Sequence, residues 1–337
     1  MYNKLKTIEK MPLDLFWLSN TLVFKKYDEL HQLEYNSLNI SLLRIFPNEI
    51  FIEFSKNNSI IITMINGICV FNVEKSTNEI IEIDNDSSIQ IKDYDGKSLV
   101  TRIKKLGKWQ YNIFFLSEKN QIEIDISTPS DGFIYNNYIV LIKSRLEFSC
   151  YLKDLQLWEI NIKSLLESEN TQFFGDLIKY EGKLYFFLSD QNDKYGIYCI
   201  DIFTGKVINQ TNQIGGFMQL SEGLLYMNNE YTVTTLHPDT FEIKEINLRF
   251  VLEPKGLDLG YMMKINLMVG RLYYFVCQNG RSKSAIVGIV NLDDKSLVWT
   301  TEIQIESGSY WIKEIQVYSN RLFVFTQGGT LHIFELG

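Results

Sequence analysis

A hairpin-like unit recurs along the whole chain, and that repetition restricts the fold more than any other feature. In "YGIYCIDIFTGKVINQ" (195–210) an alternating apolar strand runs into Asp201, breaks at Thr204-Gly205 and resumes at Lys206-Val207-Ile208. The preceding "EGKLYFFLSD" (181–190) supplies a turn and another alternating strand. The same order returns in "EGLLYMNNEYTVTTLHPDTFEIKEINL" (222–248), with Pro238-Asp239-Thr240 at the turn. It returns again in "VGRLYYFVCQNGRSKSAIVGIVNLDDKSLVWTTEI" (269–303), with Asp293-Asp294-Lys295 there. "SNRLFVFTQGGTLHIFELG" (319–337) begins one more copy and stops short. Units starting at Ser19, Asn58, Gly96 and Asn136 are more diverged but keep the period. Anchored on Leu22, Ile60, Leu99, Ile139, Leu184, Leu225, Leu272 and Leu322, the copies are spaced by 38, 39, 40, 45, 41, 47 and 50 residues. That is a repeat array.

Each unit offers three or four short strands, and a sheet that small cannot bury both of its faces. Radial stacking buries each face on a neighbour and leaves only short edges, which is the β-propeller solution. An open solenoid would need polar caps at its ends, and neither end reads as one. The composition agrees: aromatics make up 14% of the residues and there are only five prolines, and aromatic and β-branched side chains suit a pleated, half-buried surface. The expected fold is therefore all-β, a propeller of eight blades, or of seven if the diverged early units are miscounted. One domain spans 1–337. The last unit lacks an outer strand, and "NKLKTIE" (3–9) is free to supply it and close the ring. Two stretches interrupt the period: "KSLLESENTQFFGD" (163–176), with helix-compatible spacing of Leu165, Leu166 and Phe173, and the long connection "LEPKGLDLG" (252–260).

"EGKLYFF…GIYCIDIFTGKVI" resembles the pyrroloquinoline-quinone-type propeller repeat: a Gly-x-Leu-Tyr strand, a strand ending in Asp, a Thr-Gly-Lys turn and an outer strand closing on Trp. Trp299 in "NLDDKSLVW" and Trp158 in "KDLQLW" stand at the closing position. The resemblance covers residues 176–337 well and 1–175 by period alone. It implies the propeller fold, with both tryptophans packed between blades and Gly205 in a tight turn. In quinone-dependent dehydrogenases of this fold an adjacent-cysteine disulfide helps to hold the cofactor. Cys69, Cys150, Cys199 and Cys277 are far apart, so the chain resembles the scaffold without the cofactor site, and no cofactor is expected.

A net charge of −8 argues against a nucleic-acid binder, which needs a basic footprint. The cysteines sit in apolar runs as free thiols, which points to a reducing compartment. The N-terminus reads neither as a signal peptide nor as a lipidation site, and no apolar stretch is long enough for a membrane helix. A cytoplasmic monomer is the expectation.

His31 and His332 occupy similar places in the first and last units, but two histidines make no metal site without further ligands; His237 lies in the sixth unit. "DQNDKYG" (190–196) fails as a calcium loop, because Lys194 stands where a ligand is needed and Tyr195 where Gly is needed. "DNDSS" (84–88) reads as a turn between units, and the glycine pairs 215–216 and 328–329 lack a phosphate-loop context. No catalytic motif appears, and no catalytic or metal residue is nominated.

The candidate partner-binding residues lie in two places. "TRIKKLGKWQ" (101–110) sets Arg102, Lys104, Lys105 and Lys108 beside Trp109 on an expected hairpin, where lysines would also discourage edge pairing. "PLDLFWLSN" (12–20) puts Phe16 and Trp17 near the closure seam, as core or as interface anchors. The expected function is a non-enzymatic, protein-binding propeller, in its specific form a cytoplasmic inhibitor or immunity protein facing a basic bacterial toxin. The alternatives are a small-molecule or glycan enzyme or binder using the central channel, and a scaffold related to the outer-membrane assembly propellers.

Overall fold

The computed structural model describes residues 2–12, 14–27, 29–46, 51–56, 58–64, 67–83, 88–105, 108–124, 131–143, 146–168, 170–190, 194–212, 214–260, 265–277, 284–304 and 311–336, without the side chains of 53, 54, 105 and 336. The chain opens on β1 (Tyr2–Ile8). Blade 1 is β2 (Leu15–Trp17), β3 (Thr21–Lys26), β4 (Glu29–Glu34) and β5 (Ile40–Ile45); blade 2 is β6 (Phe51–Lys56), β7 (Ser59–Met64), β8 (Gly67–Asn72) and β9 (Thr77–Glu82). Blade 3 is β10 (Ser88–Tyr94), β11 (Ser98–Lys105), β12 (Lys108–Phe115) and β13 (Asn120–Ile124); blade 4 is β14 (Asp131–Tyr135), β15 (Tyr138–Lys143), β16 (Glu147–Leu152) and β17 (Leu155–Asn161). A helical turn, α1 (Lys163–Leu166), precedes blade 5: β18 (Gln172–Tyr180), β19 (Lys183–Ser189), β20 (Tyr195–Asp201) and β21 (Val207–Asn212). Blade 6 is β22 (Gln219–Ser221), β23 (Leu224–Asn229), β24 (Thr232–Leu236) and β25 (Ile243–Asn247). After α2 (Arg249–Leu252) and a 3-10 turn (Glu253–Lys255) comes blade 7: β26 (Leu267–Val269), β27 (Leu272–Cys277), β28 (Ser284–Asn291) and β29 (Ser296–Gln304). Blade 8 takes β30 (Ile312–Tyr318), β31 (Arg321–Thr326) and β32 (Leu331–Leu336), and β1 completes it.

Among the described residues these are eight four-stranded sheets, the arrangement of an eight-bladed β-propeller. All eight repeat anchors fall on the second strand of their blade, and all but the partly exposed Leu272 are fully buried. β1 pairs antiparallel with β32 from Tyr2↔Leu336 to Ile8↔Leu331, as the unfinished last unit requires. The stretch 163–176 holds a short helix, Lys163–Leu166, between blades 4 and 5, and its end, with Phe173, lies on β18. Residues 84–87 of the expected inter-blade turn and 191–193 of the rejected calcium loop lie outside the described residues.

By internal contact the chain divides into two compact units. One comprises Met1–Leu13, Phe173–Ile200 and Val207–Gly337; the other comprises Asp14–Gln172 and Asp201–Lys206. Each carries apolar clusters between consecutive sheets, such as Val23, Leu30, Ile60 and Phe71 in the second. In the first, Val276, Val287, Ile289, Leu322 and Val324 form one such cluster.

The motif tryptophans tie sheets together. Trp158 Nε1 donates to the carbonyl of Ile202 at 2.9 Å, and its ring lies flat against Gly205. That glycine has φ of 68°, and a Cβ there would sit 2.5 Å from the indole. Trp299 Nε1 donates to the Tyr2 carbonyl at 3.0 Å and packs on the rings of Tyr2 and Phe334. The Pro238 turn is held instead by Tyr185, whose hydroxyl donates to the Pro238 carbonyl, and by the Lys183–Asp239 ion pair.

Candidate functional site: a rim pocket between blades 5 and 6

In an antiparallel meander the start of the first strand, the end of the second and the start of the third lie at one rim. At that rim of blades 5 and 6 the core between the two sheets is left open as a pocket of about 400 Å³. Phe187, Ser189 and Tyr195 line it from blade 5; Met227, Asn229, Thr234 and Glu245 line it from blade 6. Strand register explains the second set. Met227 opposes Thr234 and Thr234 opposes Glu245, and residues directly across from one another share a face. Beneath the pocket, Ile178, Tyr185, Ile197, Cys199, Met218, Leu225 and Leu236 form a closed core.

The segment linking the blades, Ile214–Phe217, forms the roof with Phe174 from β18. Gly215 is needed there because of a close approach: a Cβ on it would lie 1.8 Å from the Phe187 ring. Phe174 remains 42% exposed and Phe217 38% exposed at the mouth. Asn228 also lines the pocket, but its amide is already engaged. Nδ2 donates to the carbonyls of Leu259 and Gly260, and Oδ1 accepts from the Tyr273 hydroxyl. Glu245 is thus the charged group among the described lining residues, and it is exposed.

The residues nominated from the sequence lie elsewhere. Phe16 and Trp17 are half-buried; Phe16 packs on the core of blades 1 and 2, and the Trp17 ring lies 6.2 Å from that of Tyr35. Lys105 pairs with Lys108 across the β11–β12 hairpin, as expected, though its side chain lies outside the described residues. Lys104 and Lys108 are exposed. Arg102 is not a surface cation: it is 5% exposed, stacks over Trp109 at 4.6 Å and over Tyr111, and donates to Gln90 Oε1. The reason is strand alternation, which puts Arg102 on the face of Val100, opposite Tyr111, turned toward blade 4.

Other chemistry is committed to structure. His31 stacks on Phe24 and pairs with Glu29, and His237 Nδ1 accepts from the backbone N–H of Asp239 and Thr240. His332 is buried on β32. Among the described residues no three His, Cys, Asp or Glu converge as a metal site. The first strands of blades 2–4 carry the Lys56–Asp93 and Lys92–Asp131 ion pairs, and Asp93 also accepts from Ile134 N–H. A polar groove of about 590 Å³ between blades 1 and 2 holds Asn58, bonded to Glu74, and Glu34, bonded to Ser37. Burial raises the thiol pKa of Cys69, Cys150 and Cys277, which makes them poor nucleophiles.

Solved structures share the fold along the whole chain. The computationally designed Ika8 protein matches at 12% identity with a TM-score of 0.63, covering 99% of this chain and 98% of that one. BamB from Moraxella catarrhalis matches at 9% identity and 0.56, covering all of both chains. Saccharomyces cerevisiae Sqt1 matches at 9% identity and 0.57, covering 99% of each. The likeness is one of fold. No protein-family model and no curated protein sequence matches this chain.

Proposed function

We propose that this chain is a non-enzymatic propeller that binds another protein at the rim of blades 5 and 6. The observation that carries the reading is the pair of large rings, Phe174 and Phe217, left exposed around a cavity of mainly apolar lining. Aromatic rings around a desolvated pocket are what interface anchors use, and loops on a rigid scaffold are where recognition resides. Affinity capture with the whole chain tests it: a near-equimolar protein retained by the native chain and lost with Phe217→Asp supports the reading. Equal retention by both moves the interface off this rim.

The finer reading is an inhibitor of a basic protein, in the specific case a toxin met in the cytoplasm. Its support is the acidic balance, −8 over 337 residues, which favours encounter with a cationic partner. A captured partner that arrests growth when expressed alone, and is harmless beside the native chain, is the expected outcome. Arrest that persists beside the native chain removes the inhibitor version.

A further inference from the structure

We propose that the pocket between blades 5 and 6 takes one aromatic or branched aliphatic side chain from a partner protein, flanked in that partner by a lysine or arginine that pairs with Glu245; this rests on the protein-binding reading above. Phe187, Met227, Ile214 and Phe217 give the cavity most of its apolar lining, with Ser189, Asn229 and Thr234 as polar neighbours. At about 400 Å³ it holds one large side chain and part of its neighbour. The Asn228 amide is occupied by Leu259, Gly260 and Tyr273, and the charged side chain on the described lining is that of Glu245. Strand alternation turns the neighbouring Lys244, opposite Thr235, to the other face of β25. A carboxylate beside an apolar slot selects an apolar group with a cation next to it. The acidic charge of the whole chain acts in the same direction. A small ligand lodged in the cavity would leave the outer faces of Phe174 and Phe217 in water, whereas a protein surface would cover them.

The test is selection of random displayed peptides on the whole chain, with affinities then measured by fluorescence anisotropy and phenethylamine as a small-molecule competitor. Peptides pairing an apolar residue with an adjacent Lys or Arg are the expected winners. Phe217→Ala should weaken them about 10-fold or more, as loss of an anchor contact does. Phe174→Ala, at the other side of the mouth, should act in the same direction. Glu245→Lys should weaken them about fivefold and shift selection toward acidic neighbours. Winners without a basic neighbour, or indifferent to Glu245→Lys, overturn the proposal. Winners that bind both aromatic variants at full strength also overturn it but leave protein binding standing at another surface. Saturation by phenethylamine with no peptide selected, or binding of neither probe, overturns both readings.

Discussion

At the scale of single residues, the Trp158–Gly205 contact shows how a repeat motif is enforced. The turn needs positive φ at Gly205, and the indole needs the space that a Cβ would fill. Gly205→Ala should therefore cost about 1–3 kcal/mol, from overpacking added to left-handed strain. In a Trp158→Leu background the steric share should vanish, so a denaturant double-mutant cycle should be clearly non-additive. Additive losses would mean that the ring and the turn are independent. Gly215 is held to glycine by the close Phe187 ring alone, without a positive φ, and its consequence is a pocket wall and not a clasp.

Among the elements, β1 completes the last blade. It gives β32 a partner along its length and receives the Trp299 indole N–H on the Tyr2 carbonyl. Without it β32 becomes an open edge, available to other chains. Removing residues 2–8 should abolish a single cooperative melt and promote association, both read by calorimetry with light scattering. An unchanged, monomeric melt would contradict the closure role. Tyr2→Ala, a milder cut at a side chain only 7% exposed, should cost about 3 kcal/mol in chemical denaturation.

For the whole molecule, buried ionisable groups set an alkaline limit. Burial pushes the Cys150 thiol from 9.0 up to about 12 and the Tyr226 phenol from 10.0 up to about 12. Tyr273, Tyr274 and Tyr185 move in the same direction. A folded-state pKa above the unfolded one stabilises fully below the unfolded value and is lost as pH rises toward the folded value. The denaturation midpoint should therefore decline from about pH 9, where unfolded thiols ionise, to about pH 12. A midpoint flat to about pH 11 would mean that these groups are solvated in the folded chain.

The repeat period, the Thr-Gly and Pro-Asp turns, the closing tryptophans and the unfinished last unit determined the blades, their number to within one, and the strand that closes the last of them. These features are local or periodic, and alternation with turn chemistry acts over a few residues, so a linear reading captures them. Which way a side chain faces at a blade boundary is different. Arg102 reads as one of four cations in a basic run, yet its register across from Tyr111 buries it. Phe174 lies in the stretch that interrupts the period, Phe187 in an alternating strand and Gly215 in a glycine pair with no phosphate-loop context. Only the packing of two blades brings these three residues and Phe217 around one cavity, because a pocket is what remains when separate faces fail to meet. That failure is written in no single stretch of the chain.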